Sequence, residues 1–396
     1  LTSGTTWHSA AQVRQLRSTE SLTKLVQNSV KLYSSLEDET GQATGWQQSG
    51  SLSIATNSDR LTHIRRQVSL SKAFGIGAEE ISVKEASEKW PLMRTNDLIG
   101  VVYSSADGRV GSSEICAALI KGAKSKGLQV YEDTRVAGIR TKNGRVSAVQ
   151  TEQGEITCET VVNCAGIWGR SIAGMVGVTA PLHACEHFYL LTELMDSITS
   201  PLPTLSDHDG HIYLRDEGGG LLVGCFEPKG KALDLEQLPE NFVFDLLPED
   251  WDHIEPIIIN AIHRIPELEQ TGVKMLINGP ESFTPDDRFL LGESPELRGF
   301  FLGCGMCSVG IASGGGAGQA LAEWIMDGEP SMDLWSVDIR RFVPAQNTLR
   351  TLRERSPETL SLHYAVSFPG RQHQSSRNLR LSPLHSRLES AGAEFA

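Results

Sequence analysis

The chain has 396 residues, which is enough to bury two hydrophobic cores, so two domains or one large interleaved domain are expected. Its formal net charge of −13, from 49 acidic and 36 basic residues, argues against a nucleic-acid backbone as a partner. No run of about 20 apolar residues occurs, so we expect no membrane span.

The first ten residues read LTSGTTWHSA and contain neither the basic nor the apolar segment of a targeting signal. Because the chain starts with Leu1 rather than methionine, we expect a fragment of a longer protein. Residues 2–6 are small and polar, which predicts a loop.

Apolar spacing predicts the elements of the first half of the chain. An Asn-Gly dipeptide at 143–144 indicates a hairpin between two of the strands. Strand 160–164 ends in small residues, a pattern typical of a parallel strand that delivers its backbone to a nucleotide, or of a core strand with a tight exit turn. The predicted helices are 22–40, a helix from 58 to 74 capped by Ser58, and 113–127, and the predicted strands are 49–54, 128–131, 136–141, 146–151 and 160–164.

The second half combines further strands with one amphipathic helix at 251–262. The strand-like segments 188–191, 212–215 and 221–223 suggest an antiparallel sheet in a second lobe. Residues 279–286, GPESFTPD, are predicted to be a loop that returns the chain to a strand at residue 300.

Residues 299–327, GFFLGCGMCSVGIASGGGAGQALAEWIMD, predict a buried strand, a glycine loop and a helix. Glycine lets backbone amides approach a ligand closely, and a helix N-terminus favours an anion or an electron-accepting ring. The segment therefore predicts a cofactor site, although a flexible loop that needs glycine only for its turns would have the same composition.

Cys304 and Cys307 form a C-x-x-C pair, but they lie in the glycine loop rather than in a thioredoxin-like context. Seven cysteines spread over the chain are more typical of reduced thiols in an intracellular enzyme than of a secreted disulfide framework. No second C-x-x-C or histidine pair accompanies this one, so no metal site is expected.

Beyond Arg340 the apolar periodicity weakens and arginines alternate with serine, glutamine and proline. This change predicts a domain boundary near residue 340, followed by a piece too short to fold well alone. A basic interaction tail is the alternative.

Five segments, in chain order, carry a resemblance to a known family. They are LTSGTTWHSA (1–10), VVNCAGIWG (161–169), GPESFTPD (279–286), GESPELRGFF (292–301) and GGGAGQALAEWI (314–325). Together they resemble the sarcosine and dimethylglycine dehydrogenase family, flavoproteins of the D-amino-acid-oxidase superfamily. The family also contains a regulatory subunit of pyruvate dehydrogenase phosphatase.

The resemblance implies an α/β fold with an α+β substrate lobe. Its FAD-binding part would be the dinucleotide fold of the D-amino-acid-oxidase type without the first βαβ unit, and its substrate domain would contain an antiparallel sheet. Residues 1–340 would form the oxidoreductase domain, with cofactor parts near 1–45, 112–180 and 290–335 and the substrate lobe near 46–111 and 181–289. Residues 341–396 would begin the family's central domain and be truncated.

By this resemblance, His8 matches the histidine that is joined covalently to the flavin of FAD. From the residues alone, a histidine beside Trp7 in a polar loop is more often structural or simply exposed. Ala11 stands where the family pattern usually has glycine, which makes a positive φ less easy there. The other implied cofactor contacts are Gly4, Thr5, Thr6, Trp7, Val136, Ala165, Gly166, Trp168, Gly305, Met306, Cys307, Ser308, Val309, Gly310 and Ile311.

An N-methylated amino acid carries a carboxylate, which an arginine can bind through two hydrogen bonds. Arg215 is the candidate, because it lies at a predicted strand end with Tyr213 two residues earlier on the same face. A surface arginine beside a glycine-rich turn is the alternative. His187 resembles a family histidine and is either a proton acceptor or structural.

The resemblance implies FAD-dependent oxidative demethylation of sarcosine or dimethylglycine in the mitochondrial matrix, with electrons passing to electron-transfer flavoprotein. Tetrahydrofolate would bind only to aminomethyltransferase-like domains that this chain lacks. The alternative is the phosphatase regulatory subunit, which keeps the fold without turnover. PLHACEHFYLLTE (181–193) and EDWDHIEP (249–256) are at least as close to that branch, whereas His8, which that branch lacks, favours the enzyme.

Overall fold

The computed structural model describes residues 1–199, 201–367, 370–379 and 381–395. The helices α1 to α9 are Glu20–Thr40, Ser58–Ala73, Val83–Lys89, Ser112–Ser125, Gly169–Gly174, Trp251–Arg264, Gly310–Asp327, Leu349–Leu362 and His385–Ser390. The strands β1 to β17 are Gln12–Val13, Ser51–Ala55, Ala78–Ile81, Gly100–Ser104, Gly108–Arg109, Val136–Lys142, Arg145–Thr151, Gly154–Thr157, Val161–Asn163, His183–Thr192, Thr204–Asp207, Ile212–Glu217, Gly220–Cys225, Lys231–Leu233, Val273–Phe283, Leu290–Glu293 and Phe300–Cys304. None of the helices in these residues is long and apolar enough to cross a bilayer.

A nine-stranded sheet forms one lobe, with strand order β14-β10-β13-β12-β11-β2-β4-β3 and with β15 also paired to β10. All its pairs are antiparallel except β11 with β2. Helix α6 covers one face of this sheet, because Ile254, Ile257 and Ala261 are buried in its core. The side chain of Asp250 caps the first turn of the helix. This is the antiparallel lobe that the sequence predicts.

The second lobe is built on a three-stranded sheet of order β16-β17-β9, in which β17 and β9 are parallel. Helices α1 and α7 pack against it through a core that contains Leu25, Phe301, Leu321 and Trp324. A separate meander, β6-β7-β8, contains the predicted hairpin, in which residues 143–144 form the turn between β6 and β7.

Helices α1 and α7 touch backbone to backbone. A Cβ atom at Gly316 would lie 1.9 Å from the carbonyl oxygen of Leu25, and the Gly316 amide donates to Ser29 Oγ at 2.9 Å. The Tyr33 hydroxyl donates to the Ile311 carbonyl at 2.7 Å. The glycines at 315 and 316 therefore serve helix packing rather than ligand approach.

Three predicted local features are wrong. Residues 128–131 form no strand, since they pair with no other segment among the described residues. Residues 279–283 are not a loop but the end of β15, where Pro280 is tolerated because β15 pairs on one side with β10. The N-cap of α2 is Asn57, whose side chain accepts from the Arg60 amide, rather than Ser58.

Helix α8 packs on β10, β14 and β15 of the large sheet. Leu352 and Leu360 are fully buried, and Thr359 Oγ1 donates to the carbonyl of Thr284 at 3.0 Å. The chain beyond residue 340 is thus joined to the lobe of the nine-stranded sheet by apolar packing and hydrogen bonds.

Candidate active site

A cavity of about 390 Å³ lies where the opening 3₁₀ turn, Thr5–His8, and the N-terminus of α7 meet the large sheet. Two segments about 300 residues apart, around His8 and Val309, therefore line one space. Of the residues singled out by the sequence, those in the lining are Thr5, His8, His187, Tyr213, Ser308, Val309 and Ile311.

His8 is buried, and its Nε2 atom has no hydrogen-bond partner in the described chain. Burial, followed by the nearby His187, lowers the pKa of His8 to about 4, so its imidazole is neutral near pH 7. Trp7 holds the ring from one side in an edge-on contact, with centroids 5.3 Å apart. His8 therefore lines the cavity with a neutral, buried imidazole whose Nε2 atom has no partner among the described residues.

Strand β15 packs against the His8 ring. A Cβ atom at Gly279 would lie 2.3 Å from His8 Cε1 and 2.7 Å from Nδ1. The carbonyl of the next residue, Pro280, accepts a hydrogen bond from Thr5 Oγ1 at 2.8 Å. The segment that the sequence predicts as a loop is thus the strand that positions His8.

We expect Gly279→Ala to destabilise the protein by about 2 kcal/mol, because the added methyl group must push the His8 ring aside. In a His8→Ala background the same substitution should cost much less, because the obstructing ring is gone. Urea unfolding of the wild type, the two single variants and the double variant measures both costs. Equal costs in the two backgrounds would contradict this account.

His187 lies on β10 with its Nδ1 atom 3.0 Å from Glu227 Oε2, and its Nε2 atom is 3.8 Å from Glu281 Oε2. Burial disfavours the charged ring, but the two carboxylates outweigh it and raise the pKa of His187 to about 9. His187 is therefore a cation near neutral pH. A protonated ring has no lone pair with which to accept a proton, so the arrangement suits a positioning and charge-balancing role.

Helix α7 begins at Gly310 beside the cavity, after two residues with positive φ, Cys307 and Ser308. Helix geometry leaves the amides of the first turn without acceptors inside the helix, so the cavity receives its partial positive charge. Burial raises the pKa of the thiols of Cys304 and Cys307. Neither thiol is therefore suited to thiolate redox chemistry.

The arginines around the cavity differ in their partners. Arg215 does not line it: Nε donates to the Ala10 carbonyl at 2.8 Å, and Nη1 pairs with Glu217. Arg14 lines the cavity and donates to Ser53 Oγ and the Leu52 carbonyl.

Arg17 also lines the cavity, yet its guanidinium makes no side-chain hydrogen bond or ion pair with any residue that the structure describes. Burial lowers its pKa to about 10, so it stays charged. Its Nε atom is buried without a hydrogen-bond partner among the described residues, so this half-buried guanidinium marks a place for an anionic group.

Several predicted contacts lie away from this cavity. Val136 starts the meander sheet, Trp168 packs near Gly4, and Gly305 makes a turn against Thr284. The predicted residues outside the lining are Gly4, Thr6, Trp7, Val136, Ala165, Gly166, Trp168, Gly305, Met306, Cys307, Gly310 and Arg215.

Sequence reasoning missed several lining residues. The spacing of Arg14 and Arg17 after His8 is a signal that could have been used, since it places two cations close to the candidate flavin histidine. Glu281 belongs to the motif GPESFTPD, but the sequence predicts a loop there and so gives no direction for its side chain. Tyr364 lies beyond the predicted boundary at residue 340, and no local pattern connects it with a cavity in the other part of the chain.

Comparison with protein families decides the identity of the fold. Residues 1–324 match the model described as FAD dependent oxidoreductase, and residues 327–382 match the FAD dependent oxidoreductase central domain. The chain belongs to the FAD-dependent oxidoreductase family. The resemblance read from the five sequence segments is confirmed.

Three curated relatives bear on the branch of this family. The chain is 44% identical to mouse mitochondrial sarcosine dehydrogenase over 402 residues, 40% to the mouse mitochondrial pyruvate dehydrogenase phosphatase regulatory subunit, and 30% to human mitochondrial dimethylglycine dehydrogenase. The matches cover 100%, 100% and 98% of the chain but 43%, 45% and 46% of the relatives. This FAD-dependent oxidoreductase chain therefore spans less than half the length of these relatives.

The L-proline dehydrogenase structure from P. horikoshii matches with a TM-score of 0.75 at 23% identity, covering 86% of this chain and 88% of that one. This likeness concerns the fold, and it confirms the predicted oxidoreductase architecture of the D-amino-acid-oxidase type.

The residues present fit a flavin of this FAD-dependent oxidoreductase family. His8 lines the cavity with a neutral ring whose Nε2 atom has no hydrogen-bond partner among the described residues, and the first turn of α7 offers backbone amides. Gly279 leaves the space that the His8 ring occupies. Thr5, His8, Ser308, Val309 and Ile311 are the residues that would hold the group in this cavity.

Proposed function

We propose that the protein oxidises an N-methylated glycine, sarcosine or dimethylglycine, in an FAD-dependent reaction. The observation that carries the proposal is one cavity lined by a helix N-terminus and by a neutral histidine and a guanidinium, each with a buried nitrogen that has no partner in the part of the chain that the structure describes. The similarity to sarcosine and dimethylglycine dehydrogenases supports the substrate class.

FAD, when bound, supplies the acceptor for the hydride that leaves the N-methyl carbon. His8 is the proposed site of a covalent link to the cofactor, because the low pKa keeps its ring nitrogen available as a nucleophile. The α7 N-terminus would stabilise negative charge at this end of the cavity. Val136, Ala165, Gly166 and Trp168 stay proposed contacts for the remainder of the cofactor.

Arg17, rather than Arg215, is the proposed anchor for the substrate carboxylate. The guanidinium of Arg215 already donates to Ala10 and Glu217, whereas Arg17 lines the cavity without such partners among the described residues. Tyr213 and His187 line the same cavity and limit where the amine can lie. Holding the carboxylate fixes the orientation of a small substrate, which is most of what a protein must do for hydride transfer.

By the same family similarity, we propose a mitochondrial matrix location and electron-transfer flavoprotein as the electron acceptor. Capture of the one-carbon unit by tetrahydrofolate would belong to domains outside these 396 residues.

A second candidate function is the regulatory role of the phosphatase subunit, favoured by 40% identity to that mouse protein over 398 residues. It would require the fold but no turnover. His8 and the unpartnered Arg17 favour the enzyme, because a protein without turnover needs neither a flavin nucleophile nor a carboxylate anchor.

The test uses the full-length protein purified with its cofactor. We expect flavin fluorescence that survives denaturation, its loss in His8→Ala, and oxidation of sarcosine or dimethylglycine. Arg17→Met should raise KM for the substrate about 100-fold, since a charge-assisted pair is lost, whereas Arg215→Met should leave KM for the methylated glycine nearly unchanged. A colourless wild type without oxidase activity would favour the regulatory role.

A further inference from the structure

Glu281 is a carboxylate of the cavity that the proposed reaction has not yet used. It lies on β15, its side chain is 15% exposed, and its Oε2 atom is 3.8 Å from His187 Nε2. At this distance the two atoms do not form a hydrogen bond, and His187 Nε2 is buried without a hydrogen-bond partner in the part of the chain described. Both residues line the cavity.

The charges on this side of the cavity do not cancel. His187 carries one positive charge, and Glu227 and Glu281 carry two negative charges, so the cluster has an excess of one negative charge. His8, next to the cluster, is neutral, and His363 is paired with Asp287 at 2.7 Å. The excess charge faces the cavity rather than a cation of the described protein.

The remaining part of the cavity lining has the opposite sign. Arg14 and Arg17 are both in the lining, and Asp107 there is occupied by hydrogen bonds from the Gln15 amide at 2.9 Å and Ser51 Oγ at 2.6 Å. The cavity thus has an acidic side and a basic side. This polarity is complementary to a small zwitterion with an ammonium and a carboxylate group.

We propose that Glu281 receives the substrate's ammonium group and takes its proton before the amine is oxidised. In this step the N–H bond of the ammonium breaks, an O–H bond forms on the Glu281 carboxylate, and the nitrogen regains its lone pair. Hydride transfer from the N-methyl carbon to FAD, the oxidant, then leaves a cationic imine. The inference rests on the proposed function and adds a catalytic residue to it.

The surroundings of Glu281 suit a proton acceptor. Burial raises the pKa of its carboxyl group, whereas the cation of His187 and a hydrogen bond from Ser308 lower it by less. A carboxylate with a raised pKa is a better base than an exposed one. His187 cannot take this role because its own ring is already protonated near neutral pH.

Two carboxylates of the same shape test the ammonium contact. Trimethylammonioacetate carries a permanent positive charge on its nitrogen, and 3,3-dimethylbutanoate has an uncharged carbon atom in that position. In calorimetric titrations of the flavin-loaded full-length protein, we expect the wild type to bind the cation about tenfold more tightly and Glu281→Gln to bind both equally. Glu186→Gln, an acidic residue of the neighbouring strand β10 outside the lining, should keep the preference.

The proton transfer is tested by the pH dependence of flavin reduction with sarcosine. A simple aliphatic amine has a pKa near about 10, so without a base the rate should rise about tenfold per pH unit between pH 7 and 9. We expect that slope in Glu281→Gln and a much flatter profile in the wild type and in Glu186→Gln. An unchanged preference and an unchanged profile in Glu281→Gln would overturn the inference.

Failure of the inference can be told apart from failure of the proposed function. Arg17→Met should weaken both carboxylates by the same factor, and binding of neither by the wild type would overturn both proposals. If Glu281→Gln does not fold, the test is made on the wild type alone. The ratio of its affinities for trimethylammonioacetate and 3,3-dimethylbutanoate should decrease as the pH falls and Glu281 takes up a proton. A preference that stays constant from pH 8.5 down to the lowest pH at which the protein remains folded would overturn the role of Glu281.

Discussion

Replacing Gly316 with alanine is expected to destabilise the protein by about 3 kcal/mol or more, because the new Cβ atom would lie 1.9 Å from the carbonyl oxygen of Leu25. That atom belongs to the backbone of α1, so no side-chain rotation can relieve the clash. Helices α1 and α7 would have to separate. The core around Leu321 and Trp324 would then lose contacts as well.

Gly318 provides the matched control, two residues further along the same helix. A Cβ atom there meets nothing within 4 Å, and the residue is exposed. Gly318→Ala should therefore stabilise the protein by about 0.5–1 kcal/mol through helix propensity alone. Urea unfolding of the two variants measures the difference. A Gly316→Ala protein that keeps its stability but loses flavin would instead support the ligand-binding interpretation of this glycine.

The glycine-rich segment shows what a sequence pattern can and cannot resolve. The strand, turn and helix at residues 299–327 are predicted correctly, because their apolar periodicity is local. What each glycine contacts, in contrast, depends on residues far away in the sequence. Gly316 contacts α1, which is about 290 residues earlier in the chain, whereas the turn before Gly310 lies beside the cavity.

Strand β15 illustrates a second limit. Gly279 and Pro280 are strong loop signals, yet both lie in a strand that pairs with β10 from His183↔Phe283 to Thr192↔Val273. Pro280 lacks an amide proton, and its carbonyl is bonded by Thr5. Because these compensations come from distant parts of the chain, local propensity gave the wrong element.

The candidate site was predictable in part. The family resemblance singles out His8, His187, Tyr213 and Ser308, and all four line the cavity. The type of side chain and the strand position favour Arg215, but the sequence does not reveal that its guanidinium already donates to Ala10 and pairs with Glu217. Which arginine is unpartnered depends on the packed structure.

The buried pair of His187 and Glu227 should make stability depend on pH. The folded-state pKa of His187, about 9, exceeds the ordinary value of 6.5, so its stabilisation is complete below pH 6.5 and is lost as the pH rises through 9. The loss corresponds to about 3 kcal/mol. In the isosteric variant Glu227→Gln the carboxylate is gone, burial dominates, and this decline between pH 6.5 and 9.5 should disappear.

His8 should make the free energy of unfolding depend on pH on the acid side, with the opposite sign. Its folded-state pKa of about 4 lies below 6.5, so the unfolded chain binds the proton more readily and stability should fall as the pH drops from 6.5 to 4. Urea unfolding free energies measured from pH 4 to 9.5 for the wild type, Glu227→Gln and His8→Ala separate the two groups. His8→Ala should reduce the pH dependence of the unfolding free energy only on the acid side, and Glu227→Gln should reduce it on the alkaline side. An equal slope on the alkaline side in all three proteins would mean that Glu227 does not hold His187 as a cation.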